Sequence, residues 1–281
     1  MDARAHVQAV IDRVRFASPA AAATAVLPVT QLQDFGTCPR LFHFSHQLSL
    51  SPRGEGRGEG KPDGGEDVEA EADVRTLGTA AHKLLELTSL AQVGRPALPE
   101  HLRELQRSEG LASLGEAVPA WVERFWGTPF GRRIASLGEE RVHRELPFLL
   151  SLTDGAFRLA LKGQIDLLVE EDGEVLVIDY KTSSSSPAGL EPYRFQLGCY
   201  ALAARRFVTR EVPIRAGIVF LRDEDRSPHF LGTPVDAASL ERTLIDLARA
   251  LTRAQVAFEW PGRERPTCES LGCGYRYRCH P

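Results

Sequence analysis

The chain has 281 residues, 43% of them hydrophobic and 26% charged, with a formal net charge of −4. That length accommodates one elaborated domain or two small ones with a substantial core, and the slight negative balance excludes a globally basic nucleic-acid-binding module, confining any such surface to a local patch. No apolar run approaches the roughly 18 residues of a membrane span, and Asp2, Arg4, Asp12, Arg13 and Arg15 interrupt any secretory leader, so a cytoplasmic protein is expected.

Val7, Val10, Ile11 and Val14 follow helical spacing, and with the Ala-rich run at 20–25 they make residues 1–26 read as a peripheral helix and linker. A second helix-start signal stands at Thr30. Residues 51–73, SPRGEGRGEGKPDGGEDVEAEAD, carry too much glycine and charge to bury apolar surface and are expected to form a disordered insertion. Leu77, Ala81, Leu84, Leu85 and Ala91 mark a helix, and another apolar-periodic stretch spans about 115–136. Strand-like runs follow at 142–152, 157–169 and 174–180. A helix runs from after Pro192 to about Arg206, then come strands at 214–221 and 230–235, a last helix at 237–256 and a cysteine-rich tail. This order predicts a mixed α/β or α+β layer fold.

The chemistry concentrates in residues 161–181, LKGQIDLLVEEDGEVLVIDYK, two β-type runs around the turn pair Asp172-Gly173, which favours a two-residue type I′ hairpin. In that register Asp166 faces Asp179, with Cβ atoms roughly 4.5–5.5 Å apart. Lys181 projects on the same face, and only four of the 34 basic residues are lysines (Lys61, Lys83, Lys162 and Lys181). Opposed like charges between Ile165, Leu167, Val177 and Ile178 are costly in a buried sheet. A divalent cation between the acids removes the repulsion, and oxygen ligands suit Mg²⁺ or Mn²⁺. Lys181 could then orient or activate a water, or stabilise charge developing on a phosphate. The alternative is a surface hairpin whose acids align by accident. His82, one helical turn from Glu86, could give the same metal a nitrogen ligand or be a structural histidine.

GTAAHKLLE, LKGQIDLL, VIDYKTS and FQLGCY, in that order, resemble the RecB-type branch of the PD-(D/E)XK nucleases, as in the nuclease domains of RecBCD and AddAB helicase-nucleases. The similarity runs from about Thr30 to Cys279. It implies a restriction-endonuclease-like core, a central mixed sheet flanked by helices, over residues 27–281. It also implies that His82, Asp166, Asp179 and the main-chain carbonyl of Tyr180 bind the metal and that Lys181 is the catalytic lysine. Gln196 and Tyr200 would position DNA or the catalytic centre; the alternative is a helix face packed on the sheet, above all for Tyr200. Glu86 and Glu145 fall near supporting acids of such enzymes. Asp179 replaces the more general Glu before x-Lys, as is usual in this branch.

One early cysteine, Cys38, and three late ones, Cys268, Cys273 and Cys279, resemble the iron-sulfur staple of AddB-type nucleases and of CRISPR adaptation nucleases, which implies a 4Fe-4S cluster fastening distant parts of the chain. The late spacing, C-x4-C-x5-C, departs from the family form, which has C-x2-C first. A zinc site with His280 as a substitute ligand and free buried thiols are the other readings. Cys199 is read as packed. Arg276 and Arg278, interleaved with Tyr275 and Tyr277, could touch DNA or form an ordinary turn.

The expected function is a metal-dependent deoxyribonuclease, exonuclease rather than endonuclease, acting on single-stranded DNA or duplex ends in double-strand-break repair and recombination. Lys61 is followed by Pro62 and no P-loop exists, so a separate helicase, or a helicase of which this is a module, is the expected partner. The rivals are a CRISPR spacer-processing nuclease and a non-catalytic DNA-binding scaffold.

Overall fold

The computed structural model describes residues 24–52, 66–187 and 189–281. The expected helix around Val7–Val14 lies outside the described residues, as do residues 53–65 of the expected insertion. Of these two stretches, residues 24–26 and 66–73 lie in regular elements. Thr24–Pro28 is strand β1, formed from the TAVLP run at the end of the supposed linker. Glu66–Leu87 is one long helix, here α2, whose first turns use the strong helix formers Glu and Ala of the supposed insertion. Between them lies α1, Val29–Thr37, which buries Val29, Leu32 and Phe35.

After α2, three further α-helices precede the main strands. The amphipathic α3, Leu98–Ser108, buries Leu98 and Leu102 and is additional to the elements expected from the sequence. The single helix expected over 115–136 is two, α4 (Ala117–Gly127) and α5 (Pro129–Ala135). Pro129 cannot continue α4 but suits the first position of a new helix, and Thr128 caps it by accepting the Gly131 N–H at 2.9 Å. Then follow β2 (Val142–Asp154), β3 (Phe157–Glu170), β4 (Val175–Lys181), α6 (Arg194–Phe207), β5 (Ile214–Phe220), β6 (His229–Phe230) and α7 (Ala237–Ala257). The strand expected over 230–235 reduces to the two residues of β6.

All six strands form one mixed sheet with β3 at its hub. Antiparallel β2 lies along one edge of β3 for nearly its whole length. The other edge is shared: parallel β1 pairs with Arg158–Lys162 and antiparallel β4 with Leu167–Glu170. Residues 163–166 between these two partners have no ladder on that edge. Beyond β4 lie parallel β5 and then β6.

Two apolar clusters sandwich the sheet. One gathers α1, α6 and α7, with Leu32, Leu161, Ile165, Leu197 and Leu244 among its members. The other gathers α2 to α5, with Leu84, Leu102, Phe125, Trp126 and Ile134 packed around Tyr180. A layered sheet with helices on both faces satisfies the expected class.

The α4–α5 corner supports the second cluster, and it admits no side chain at Gly131, where a Cβ would stand 2.4 Å from the Phe125 carbonyl oxygen and 2.8 Å from the Trp126 Cα. Because both obstacles are backbone, Gly131→Ala is expected to cost about 1–3 kcal/mol by overpacking. Urea denaturation of the variant checks this, and a midpoint equal to wild type would show that the corner relaxes freely.

Candidate metal centre and active site

The hairpin register is the one the sequence predicts, with Leu167 opposite Ile178 and Val169 opposite Leu176. The turn differs from expectation in type: neither Asp172 nor Gly173 has the positive φ that type I′ requires, while Glu171 N–H donates to Glu174 O at 3.0 Å around these two residues. The ladder stops at Leu167–Ile178, one residue short of the two aspartates. There the strands part, and the Tyr180 N–H donates to Asp166 Oδ2 at 2.8 Å. A carboxylate has taken a main-chain donor of the central sheet.

On the other side of β3 the same thing happens. Arg144 pairs with Leu167 and Leu146 with Ile165, while Glu145, which stands opposite Asp166, is left out and adopts φ +48°. For a non-glycine residue this left-handed backbone is strained, and such strain gathers where geometry is imposed by function. Glu145 on β2, Asp166 on β3 and Asp179 on β4 thus form a row of three acids across adjacent strands, with Asp166 and Asp179 buried.

Helix α2 lays His82 against this row. Its buried face, Ala80, Ala81, Leu84 and Leu85, fixes the helix on the sheet, and His82 projects with Nδ1 3.1 Å from Glu145 Oε1 and 3.6 Å from Asp166 Oδ2. Nε2 lies 3.3 Å from the Tyr180 carbonyl oxygen. Burial alone would lower the imidazole pKa, but the Glu145 hydrogen bond and the charges of Asp166, Glu145 and Asp179 outweigh it and bring it to about 9. With both ring nitrogens directed at acceptors, the imidazolium is the cation that holds these acids together.

Asp166 is raised to about 7, first by burial and then by the Asp179 charge. Asp179 is also raised by burial, against the pull of Lys181. Lys181 Nζ lies 2.6 Å from Asp179 Oδ2 and forms an ion pair with this buried oxygen. Gln196, in the first turn of α6, completes the arrangement. Its Nε2 donates to Asp179 Oδ1 at 3.1 Å and to the Tyr200 hydroxyl at 2.7 Å, and its Oε1 accepts from Lys181 at 3.4 Å. Burial raises the Tyr200 hydroxyl, which stays neutral. The lysine ammonium also lies 5.3 Å above the Tyr193 ring.

The donor set fits a hard divalent cation. Ligand atoms of His82, Glu145 and Asp166 lie within 4.8 Å of one another, the only such group of three among the described residues. Asp179 Oδ2 and the Tyr180 carbonyl add oxygen donors nearby, and an oxygen-rich set with one imidazole suits Mg²⁺ or Mn²⁺. Of the sequence candidates, His82, Asp166, Asp179, Tyr180, Lys181, Gln196 and Tyr200 converge. Glu86 lies outside the row: it pairs with Lys83 at 3.0 Å in a neighbouring cleft of about 490 Å³ that also reaches His82 and Glu145. Glu145, expected only as a supporting acid, contacts His82 directly.

The four cysteines Cys38, Cys268, Cys273 and Cys279 line one cavity of about 810 Å³, and the thiol of Cys268 is raised by burial and by the other three. No three of their sulfurs lie within 4.8 Å of one another, whereas tetrahedral zinc with Zn–S of about 2.3 Å needs sulfurs about 3.8 Å apart. The His280 ring nitrogen bonds the Arg263 carbonyl at 3.2 Å. Tyr275 is buried, its hydroxyl donating to Leu50 O at 2.6 Å, and so is a packing residue rather than a DNA contact. Cys199 is buried within α6 as expected.

A family model described as the PD-(D/E)XK nuclease superfamily matches residues 27–280, and the chain belongs to that superfamily. Among curated relatives, an ATP-dependent helicase/nuclease subunit from Ligilactobacillus salivarius (strain UCC118) is 29% identical over 151 residues, covering 48% of this chain and 12% of the relative. The like-named protein of Moorella thermoacetica is 30% identical over 156 residues, with 48% and 11% covered. The chain therefore spans only about an eighth of these relatives' length. A solved structure from Eubacterium rectale, named "Putative exonuclease", aligns over 84% of this chain and 83% of its own at 12% identity and a TM-score of 0.46, a loose likeness. Among the described residues no helix is long and apolar enough to cross a membrane.

His82 and Asp166 act in the same direction on stability. Raised folded-state pKa values mean that the metal-free protein binds more protons folded than unfolded, for Asp166 from about pH 4 to 7 and for His82 from about pH 6.5 to 9. Stability without metal is therefore expected to fall as pH rises through these windows. Mg²⁺ or Mn²⁺ must displace those protons, so its stabilisation should grow from pH 6 to pH 9. Melting curves with EDTA and with Mn²⁺ across this range check both signs, and a metal-induced shift independent of pH would contradict the assignment. Asp166→Asn should melt a few degrees above wild type at pH 8 in EDTA and lose the Mn²⁺ shift.

Proposed function

We propose that this chain is a metal-dependent deoxyribonuclease that hydrolyses phosphodiester bonds of single-stranded DNA or duplex ends, exonucleolytically rather than endonucleolytically. The observation that carries this reading is the row Glu145–Asp166–Asp179 at the parted edge of β3, closed by His82 on one side and Lys181 on the other. Buried acids set face to face destabilise a fold and make chemical sense as cation ligands. His82, Glu145, Asp166, Asp179 and the Tyr180 carbonyl would hold Mg²⁺ or Mn²⁺, and His82 would give up its proton to do so.

The bound ion supplies Lewis-acid stabilisation of the charge that develops on the phosphate. The residues do the rest. Asp179 and Gln196 hold the Lys181 ammonium, leaving it as a donor that orients the attacking water or the phosphate oxygen. Gln196 is itself fixed by the neutral Tyr200 hydroxyl.

The relatives named as helicase/nuclease subunits support a role beside a helicase, and double-strand-break repair and recombination is the process we propose for it. The four cysteines around one cavity are the residues that would hold a 4Fe-4S cluster tying the segment after α1 to residues 268–279.

Cleavage of end-labelled single- and double-stranded DNA with Mg²⁺, Mn²⁺ or EDTA tests the activity. Lys181→Ala and Glu145→Gln are each expected to lower the rate by on the order of 10²–10³-fold while leaving DNA binding in place. Undiminished cleavage by Asp166→Ala, or DNA binding by wild type with no metal-dependent cleavage, would overturn the reading. For the cysteines, anaerobically purified protein should contain iron and acid-labile sulfide, and Cys268→Ser should lose both and melt earlier. Iron-free wild type with an unchanged melting point in the variant would remove the cluster.

A further inference from the structure

Charge is distributed unequally around the centre. The cleft beside His82 and Glu145 carries Glu86 and Glu109, and its one lysine, Lys83, is bound to Glu86 at 3.0 Å. A phosphate chain entering there would meet acids. The opposite flank is formed at the carboxyl ends of the adjacent parallel strands β4 and β5, where open sheets commonly place their ligands. Lys181 pairs with Phe220, and the next residue, Leu221, donates its N–H to the Lys181 carbonyl at 2.8 Å. Arg222 follows at once. Its guanidinium lies 5.9 Å from the centroid of the Trp121 ring, it is exposed, and neither it nor Arg124, one turn further along α4, enters an ion pair among the described residues.

The loop is built to hold its shape. Buried Arg226 donates from Nε to Leu221 O at 2.8 Å and from Nη1 to Glu224 O at 3.0 Å. The loop also carries acids, two of them used to shape it: Asp223 Oδ1 accepts from Ser185 N–H at 3.1 Å, which ties the loop to the segment after Lys181, and Asp225 Oδ1 accepts from Ser227 N–H at 2.9 Å. Glu224 is the remaining acid. A guanidinium laid on an indole is pre-oriented and weakly hydrated, which suits it to an oxyanion.

We propose that Arg222, held on Trp121 and assisted by Arg124, binds the DNA phosphate next to the one at the metal centre, so that the strand runs along the β4–β5 flank. The identity of the ligand rests on the nuclease reading, but the site can be tested without cleavage. Binding of a fluorescein-labelled single-stranded oligonucleotide is followed by anisotropy in EDTA over a salt series, beside steady-state cleavage with Mg²⁺. For Arg222→Ala, Kd and KM should each rise about tenfold, the salt slope should drop by about one, and kcat should stay within twofold of wild type. The Arg222→Ala/Arg124→Ala double variant should weaken binding further. Unchanged affinity and slope would overturn the proposal, as would a lower kcat at unchanged Kd. Wild type that binds but never cleaves would end the nuclease reading alone, and the anisotropy arms would still decide whether Arg222 holds the strand.

Discussion

The structure turns on one local failure of β-pairing. Two neighbours of Asp166, Glu145 on one strand and Asp179 on the other, stand where ladder residues should be, and neither pairs with β3. Three carboxylates in a row repel one another, and burial magnifies that repulsion. The sheet therefore opens at residues 163–166, between the end of β1 and the start of the β4 ladder, and main-chain groups that would have zipped the strands become available to side chains. The Tyr180 amide turns to Asp166, and the Tyr180 carbonyl turns to His82. Everything else around the centre holds this opening in place.

Two cations of different kinds close it. His82 reaches the acids from α2 on the face carrying the Tyr180 cluster, whereas Lys181 and Gln196 belong to the face covered by α6. The imidazolium is exchangeable because it can lose its proton, and the ammonium, backed by Gln196 and Tyr200, is not required to. On the proposed reading, this division separates the part of the centre that would receive a metal from the part that would meet the reacting phosphate. Both apolar clusters are needed to hold such charges within the sheet, which is why helices cover both of its faces.

Much of this is legible in the residues. The period of two along β3 and β4, with a short turn between them, determines which side chains oppose, so Asp166 and Asp179 can be placed face to face although the turn type differs. Glu145 cannot be placed in the same way. Its position depends on the pairing of β2 with β3, and the LPFLLSL stretch after it shows no marker for a strained backbone. β1 is hidden in an alanine-rich run, since its identity as a strand comes from its parallel partner and not from its own composition. The break between α4 and α5 is signalled by Gly127-Thr128-Pro129 but masked by apolar periodicity that continues across it. Convergence of the cysteines follows from a resemblance, and spacing alone would not have brought Cys38 to the other three.

The contacts of Tyr275 with Leu50 and of Cys38 with Pro261 join segments more than two hundred positions apart. On a growing polypeptide, the end of α1 and the segment after it emerge long before residues 261–279 exist to contact them. Those contacts must wait while the entire central sheet is synthesised. The opening in β3 and its acids can thus be assembled before this last closure, and the final step of maturation falls on the cysteine-lined cavity, away from the chemistry.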